Sequence, residues 1–327
     1  MSASTSLFFC IFAEIIKKHQ LDFGACHICP RSCGANRRVA AGFCHAPSEP
    51  EIASICVHKG EEPPISGAKG ICNLFFAHCN LQCVFCQNHD ISGTAVDKDK
   101  IFYKDLDSVV DRIAEVLQTS ENMLGFVSPS HYAYVIPELM ERLHERRIFP
   151  TTVYNTNGYD DVETLQMVEP YVDIYLPDLK YMDSALAQKY SHAADYPEKA
   201  AKALQEMFRQ KGSALPCDDG VAFRGIIIRH LVLPGAVENS IKCLEWIADN
   251  LSTNLHISLM SQYFPPKQLL DGSMKDFPEL TRTMSEDEYE QVKEKFYALG
   301  FHKGWVQELA SNESFRPDFS KKEAFGN

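Results

Sequence analysis

From about residue 70 onward, apolar residues fall into two alternating kinds of run. Short stretches rich in β-branched and aromatic residues occur at Ile71–Phe76, Met123–Val127, Thr151–Asn155, Val172–Leu176, Gly225–Leu233 and His256–Met260, and these read as strands. Between them the apolar positions recur at helical spacing. The segment from Asp105 to Gln118 puts Leu106, Val109, Val110, Ile113 and Leu117 on one stripe, with Asp105 placed to cap the first turn. Ile136, Leu139, Met140 and Leu143 repeat the stripe, as do Ile241, Leu244, Ile247 and Ala248. Six strands alternating with helices predict an α/β fold on a parallel sheet with right-handed crossovers. Periodicity leaves open whether that sheet closes on itself. A last helix is expected from Ser285 to Leu299: Ser285 and Glu288 match a capping box, and Gly300 stops it.

The first part of the chain is patterned differently. A modest helix is expected over Phe12 to His19, but Cys26 to Pro50 has no strong period and is rich in Cys, Gly, Pro and Arg. A metal rather than an apolar core is expected to organise that stretch. The chain thus divides into an N-terminal helix and Cys-rich segment (1–58), an α/β core (59–270) and a C-terminal helix and tail (271–327). The length of 327 residues suits one large domain, or one with a small appendage, and 45% hydrophobic residues is ordinary for a globular protein. A net charge of −12 argues against broad nucleic-acid binding, which needs a basic surface, and leaves only a local patch for RNA. The apolar run Leu7–Phe12 is short, has no basic residue before it and no cleavage site after it. No apolar stretch approaches the roughly 18–20 residues of a membrane span. A reducing, cytoplasmic location is therefore expected. There, twelve cysteines mark metal or redox groups rather than disulfides.

Three of them, Cys79, Cys83 and Cys86, have the spacing Cys-x3-Cys-x2-Cys, with Phe85 directly before the last thiol. Three thiolates are one short of a closed tetrahedral site, and an iron–sulfur cube held by three keeps one iron open to a small molecule. Zinc, with His78 or His89 as the fourth ligand, is the alternative that spacing leaves open. The spacing resembles the signature of the radical S-adenosylmethionine (radical SAM) enzymes. That resemblance implies a partial (β/α)6 barrel with the cysteine loop after its first strand. It also implies a [4Fe–4S] cluster on the three cysteines, and S-adenosylmethionine chelated to the fourth iron. An electron from the cluster then cleaves the cofactor to a 5′-deoxyadenosyl radical, which abstracts a substrate hydrogen. Phe85 holds the aromatic position that packs near the adenine. The general rule that α/β sites gather at the carboxyl ends of strands points to the same mouth.

Later strand ends are dense in polar groups: Tyr154-Asn155-Thr156-Asn157-Gly158-Tyr159, Asp173 to Lys180, and Arg229 to Gly235. These stretches resemble those of the pyruvate formate-lyase activating enzymes, the radical SAM branch that installs glycyl radicals. The resemblance nominates Asn155, Asp178 and Lys180, with Arg229, around the methionine end of the cofactor. Chemically, Lys180 or Arg229 suits a carboxylate, and Asp178 a sulfonium or ammonium. Where those enzymes carry Gly-Gly-Glu after the second strand, this chain has Ser128-Pro129-Ser130-His131. Ser128, Ser130 and His131 are therefore the candidates there, with no carboxylate among them. Near the sixth strand, Ser261-Gln262-Tyr263 stands where a histidine is common. The longest likeness is to the pyruvate formate-lyase activating enzyme-like branch, over Cys29–Gly34, Gly60–Gly67, Phe85–Asn88, Tyr190–Pro197, Arg229–Gly235 and Met260–Tyr263. It implies an oxidoreductase that uses S-adenosylmethionine and a reductant such as flavodoxin or ferredoxin. The implied substrate is a glycine of a partner protein; another protein site, RNA or a small molecule would use the same chemistry. A non-enzymatic zinc protein is the alternative from a different class.

A second group, Cys26-x2-Cys29-x3-Cys33 with Cys44, supplies four thiols, the count for a closed site of zinc or a further iron–sulfur cluster. Arg31, Arg37 and Arg38 are placed to offset thiolate charge. Cys10, Cys56, Cys72, Cys217 and Cys243 are scattered and are expected to be buried thiols. His230 reads equally well as a core histidine or a site residue.

Overall fold

The computed structural model describes residues 22–39, 42–93, 96, 99, 101–103, 105–272, 275–309, 317–319, 321 and 324–325. Cys10 and the helix expected at Phe12 to His19 lie outside them. Among the described residues ten strands appear in chain order: β1 (Ile52–His58), β2 (Ile71–Phe76), β3 (Met123–Val127), β4 (Thr151–Thr156), β5 (Ile174–Pro177), β6 (Cys217–Asp218), β7 (Val221–Ala222), β8 (Gly225–Leu231), β9 (His256–Met260) and β10 (Gly304–Val306). The main helices are α1 (Leu106–Leu117), α2 (Ile136–Glu145), α3 (Val162–Val168), α4 (Ser184–Ser191), α5 (Tyr196–Lys211), α6 (Val237–Asn250) and α7 (Glu286–Ala298). The described residues between 26 and 50 form turns without strand or helix, as their lack of strong period predicts.

Eight strands make one sheet in the order β1-β2-β3-β4-β5-β8-β9-β10, and β6 and β7 pair separately. β1 runs antiparallel to β2 and every other pair in the large sheet is parallel. All six strands expected from the sequence are present. The additions are β1, which falls before the boundary expected at residue 58 yet joins the sheet, and β10, contributed by the C-terminal segment.

The sheet is curled. A flat sheet of eight strands would be roughly 34 Å wide, at about 4.8 Å per strand. Yet one cleft of about 530 Å³ is lined by His58 of β1, Val127, Asn155, Arg229 and Met260 of interior strands, and Trp305 of β10. Both edges can reach one cleft only if the sheet bends around it. The edges do not pair with each other, so this is a partial barrel, open between β1 and β10.

Strand alternation sorts the two faces. Ile71, Met123, Val153, Ile174, Leu176 and Ile227 point inward and pack as one apolar cluster that closes the floor of the barrel. Their neighbours Cys72, Leu74, Leu124, Phe126, Tyr154, Tyr175, Ile226 and Ile228 point outward into the larger core under the helices. On α1 the buried positions are Val109, Val110, Ile113 and Val116, and the Asp105 side chain caps it by accepting from Ser108 N. α7 begins with the expected capping box of Ser285 and Glu288. Among the described residues no helix is long and apolar enough to cross a membrane, and the eleven described cysteines are free thiols. Cys56, Cys72 and Cys243 are buried as expected, whereas Cys217 is exposed on the β6–β7 hairpin.

Candidate cofactor cleft and thiol sites

Cys79 follows β2 by three residues, and the loop that carries it is turned tightly. His78 and Gln82 both adopt left-handed backbone conformations (φ 69° and 54°), unusual for residues with a Cβ. The turn is held by His78 N donating to Ile91 O and by the His78 ring on Glu51 Oε2 at 2.8 Å. Cys86 N closes a further turn on Cys83 O at 3.1 Å. The result brings all three thiols to the wall of the same cleft, with Cys79 buried and Cys83 and Cys86 half-buried.

Each sulfur meets a hydrogen-bond donor. Cys79 Sγ is approached by Leu81 N at 3.3 Å and Asn157 Nδ2 at 3.4 Å. Cys83 Sγ receives the Ser191 hydroxyl at 3.0 Å, and Cys86 Sγ pairs with the Ser92 hydroxyl at 3.2 Å. Burial pushes the Cys83 thiol up to about 12, only partly countered by the nearby Lys180 ammonium, and it raises Cys86 as well. Among the described residues, no three His, Cys, Asp or Glu side chains converge closely enough to share a single metal ion. The three thiols are instead spaced along the cleft that they line. Donors on every sulfur suit a cluster whose thiolates are spread around a cube.

The same cleft holds most of the cofactor residues expected from the sequence. Phe85, Ser128, Asn155, Asp178, Lys180 and Arg229 all line the cleft. Lys180 Nζ contacts Asp178 Oδ2 at 2.6 Å. Burial works against the Lys180 charge, but Asp178 and Cys83 outweigh it and hold the amine above its ordinary range. Phe85 stands edge-on to Tyr190 and Tyr263, with ring centroids 6.3 Å apart in both cases. The turn after β4 needs Gly158: its φ is 79°, and a Cβ there would lie 2.2 Å from Asp178 O.

Two expected members are elsewhere. Ser128 is left-handed (φ 54°) and donates its N–H to Asn155 O at 2.8 Å, and the chain then turns away from the cleft. Ser130 is buried with its hydroxyl on Thr156 Oγ1 at 3.3 Å. His131 lies behind the cleft, with Nε2 on Ala77 O at 2.8 Å and a buried Nδ1 that has no hydrogen-bond partner. Its pKa is lowered to about 3, chiefly by burial. His131 lines the small cavity of the second thiol group instead.

Arg229 is in the cleft but already engaged. Its Nε donates to Glu62 Oε1 at 2.8 Å, and its Nη2 contacts both Glu61 and Glu62. Burial opposes the Glu61 charge, yet Arg229 outweighs it and holds that carboxyl at about 2. The cleft therefore does contain carboxylates besides Asp178, delivered from the loop between β1 and β2. Asn73 Nδ2 donates to Glu61 Oε1 at 2.7 Å, and Gly125 makes room for that amide: a Cβ there would lie 2.0 Å from Asn73 Oδ1. Glu61, Glu62, Asn157, Ser92 and Ser191 were missed as site residues. Their only signal was membership of stretches with a family likeness (Gly60–Gly67 and Tyr190–Pro197) or proximity to a motif. His230 is a core residue: fully buried, Nδ1 on Leu179 O at 2.6 Å, its pKa lowered to about 4 by burial.

The second thiol group lies around one small cavity, without three of its thiols converging as ligands of a single ion. Cys26, Cys29, Cys33 and Cys44 line one small cavity with Arg31, Arg37, Phe43 and His131. Cys33 is exposed and the other three are buried. Burial pushes Cys29 up to about 12 and raises Cys44. Of the three arginines expected to offset charge here, buried Arg37 does so. Its Nη1 lies 4.0 Å from Cys26 Sγ and donates to His131 O at 2.7 Å. Arg38 is exposed. Arg31 instead reaches Asn80 O at 2.9 Å and Ser191 O at 2.8 Å.

No family model matches the chain. It is similar to the uncharacterized protein MJ0674 of Methanocaldococcus jannaschii, with 28% identity over 296 residues, covering 86% of this chain and 79% of that protein. Among solved structures it is similar to a domain of pyruvate-formate lyase-activating enzyme from Bacteroides vulgatus, with 18% identity and a TM-score of 0.38. That match covers 54% of this chain and 92% of that domain. It is also similar to Streptococcus suis SuiB bound to S-adenosylmethionine, with 14% identity and a TM-score of 0.46. A further likeness is to anSMEcpe with bound AdoMet, with 13% identity and a TM-score of 0.41. The last two matches cover 71% and 68% of this chain, but only 48% and 57% of the longer proteins.

Proposed function

We propose that the protein is a radical SAM enzyme of the pyruvate formate-lyase activating enzyme-like branch. The observation that carries this reading is the juxtaposition in one cleft. Cys79, Cys83 and Cys86 line it beside Asn155, Asp178 and Lys180, which come from the carboxyl ends of parallel strands. In this reading the three thiolates hold a [4Fe–4S] cluster. Such a cluster would supply the electron for reductive cleavage of S-adenosylmethionine, the chemistry that takes hydrogen from a substrate.

The rest is positioning and charge. Within the cleft Glu61 and Glu62 pair with Arg229, and Asp178 pairs with Lys180. Arg229 is engaged through Nε and Nη2 by Glu61 and Glu62, so Lys180 is assigned to the cofactor carboxylate and Arg229 to holding the two glutamates in place. Phe85, flanked by Tyr190 and Tyr263, takes the adenine. The apolar floor of Ile71, Met123, Val153, Ile174 and Ile227 keeps water from entering below.

For the substrate we propose a glycine of a partner protein, as in the glycyl-radical activators. The support is the sequence likeness at Tyr154–Tyr159 and Asp178–Lys180. A flavodoxin or ferredoxin serves as reductant. The group at Cys26, Cys29, Cys33 and Cys44 is proposed to hold a second metal, zinc or iron–sulfur.

Anaerobic reconstitution tests the reading. The expected result is brown protein with about four irons at the Cys79 site and 5′-deoxyadenosine on reduction with S-adenosylmethionine. Colourless protein containing zinc alone, with no cofactor cleavage, would refute it. The substrate assignment is tested separately, by incubation with glycyl-radical enzymes of the source organism. A glycyl signal in electron paramagnetic resonance is expected, and its absence with active 5′-deoxyadenosine release would remove the activator role alone.

A further inference from the structure

The donors on the three sulfurs lead back to the other cysteine group, through Arg31. This residue sits between Cys29 and Cys33, yet its guanidinium leaves their cavity and grips two other segments. Nε donates to Asn80 O at 2.9 Å, directly after Cys79, with Nη2 also near Leu81 O. Nη2 donates to Ser191 O at 2.8 Å, and Nη1 contacts His192 O. The planar group lies over the Phe43 ring, 3.7 Å from its centroid.

The second grip has a clear physical basis. α4 ends where His192 turns into the left-handed region (φ 52°, ψ 34°), which leaves carbonyls at the helix end without intrahelical donors. A guanidinium is the suited partner for them, since it brings several forked donors and a positive charge to the negative end of the helix. Ser191 is also the residue whose hydroxyl reaches Cys83 Sγ at 3.0 Å. It is fully buried, and the Tyr181 hydroxyl lies 2.8 Å from the same oxygen. Because the Ser191 hydrogen is directed at sulfur, Tyr181 donates to Ser191, which makes a relay of Tyr181, Ser191 and Cys83.

We propose that Arg31 is a positioning residue that holds the Ser191 hydroxyl on Cys83 and thereby sets the reduction potential of the cluster at Cys79, Cys83 and Cys86. The inference rests on the reading that a cluster occupies this cleft. Hydrogen bonds to a ligating sulfur withdraw charge from the cluster and raise its potential. Because Arg31 is bracketed by Cys29 and Cys33, with Ser32 N bonded to Cys29 O at 2.9 Å, whatever fills the N-terminal cysteine group also fixes the origin of this clamp.

The test uses full-length protein reconstituted anaerobically, with wild type, Ser191→Ala, Arg31→Gln, Arg31→Lys and the Arg31→Gln/Ser191→Ala double variant compared at matched iron content. Midpoint potentials are read by redox titration followed by electron paramagnetic resonance. Ser191→Ala and Arg31→Gln are each expected to lower the potential. The double variant is expected to go no lower than Ser191→Ala, because both changes remove the same bond. Arg31→Lys, which keeps the charge but loses the fork, is expected to fall between wild type and Arg31→Gln. Hydrogen exchange on the metal-free proteins supplies a second readout: Arg31→Gln should speed exchange in 80–86 and 184–192. An iron-loaded Arg31→Gln protein with the wild-type potential, or single shifts that simply add in the double variant, would overturn the proposal. So would unchanged exchange in those two segments. Wild type that takes up no iron refutes the cluster reading itself, a result distinct from a loaded protein with an unmoved potential.

Discussion

At the level of single residues, burial sets the chemistry of the cleft. Cys83, pushed up to about 12, keeps its proton at neutral pH until a metal displaces it. Lys180 is held charged by Asp178 2.6 Å away, so Lys180→Met should remove the amine proposed to meet the cofactor carboxylate. Loss of such a charged hydrogen bond is worth roughly 1.5–3 kcal/mol. The expected outcome is S-adenosylmethionine binding weakened about 10- to 100-fold, measured by calorimetry on the reconstituted protein. Gly125→Ala drives a methyl into Asn73 Oδ1 and displaces the amide that supports Glu61. Overpacking of this kind costs about 1–3 kcal/mol, which a urea midpoint would register. Histidines give the pH dependence. His230 titrates at about 4 in the fold and at about 6.5 when exposed, because burial disfavours the imidazolium. Above pH 6.5 both states are neutral and stability is full. As pH falls from about 6.5 to about 4 the unfolded chain alone takes up the proton, and stability is lost by up to about 1.4 kcal/mol per unit. His131 adds a similar loss down to about 3. His230→Asn should flatten the slope of denaturant stability against pH between 6.5 and 4.5.

At the scale of elements, α7 is fastened by more than its cap. The Ser285 hydroxyl receives Glu288 N, and Glu288 also accepts from Gly235 N at 2.8 Å and from Arg282. Ser285→Ala should therefore cost about 1 kcal/mol, the usual value of a lost N-cap. Glu288→Ala should cost more, because it also releases the loop after β8 from the helix. Thermal unfolding of the two variants checks the order, and equal losses would contradict it. The elements also show what pattern can and cannot reveal. Six parallel strands were readable because strands covered on both faces are continuous β-branched runs. β10, at three residues, is too short to carry a period. β1 follows a stretch with no period at all, and only its pairing with β2 shows that it belongs to the sheet. The capping signals at Asp105 and Ser285 were readable because a cap depends on neighbours three residues away.

For the molecule as a whole, curling the sheet is what makes a site. It brings β1 and β10 to one cleft and sets the polar groups of Asn155, Asp178 and Arg229 above the apolar floor. The two thiol groups should be separable within this frame. A Cys79→Ala/Cys83→Ala/Cys86→Ala variant is expected to lose the iron of the cleft and all 5′-deoxyadenosine production while keeping the metal of the Cys26 group. Metal analysis beside wild type measures both at once. Loss of all metal from the folded variant would mean that the N-terminal group cannot load alone.

The sequence by itself determined the strands, the caps and the presence of three thiols on the loop after the first parallel strand, because each depends on spacing within a few residues. Motif likeness extended this to Asn155, Asp178 and Lys180, whose side chains reach the cleft directly from strand ends. Tertiary structure alone decided the remainder, because it concerns partners far apart in the chain. Arg229 meets Glu62 across 167 positions, and Ser191 meets Cys83 across 108. The same holds for which way the chain faces: one left-handed residue, Ser128, leaves its neighbours Ser130 and His131 behind the cleft rather than in it. Local pattern encodes the backbone's elements, whereas the direction of a side chain at a strand end depends on how the sheet bends around it.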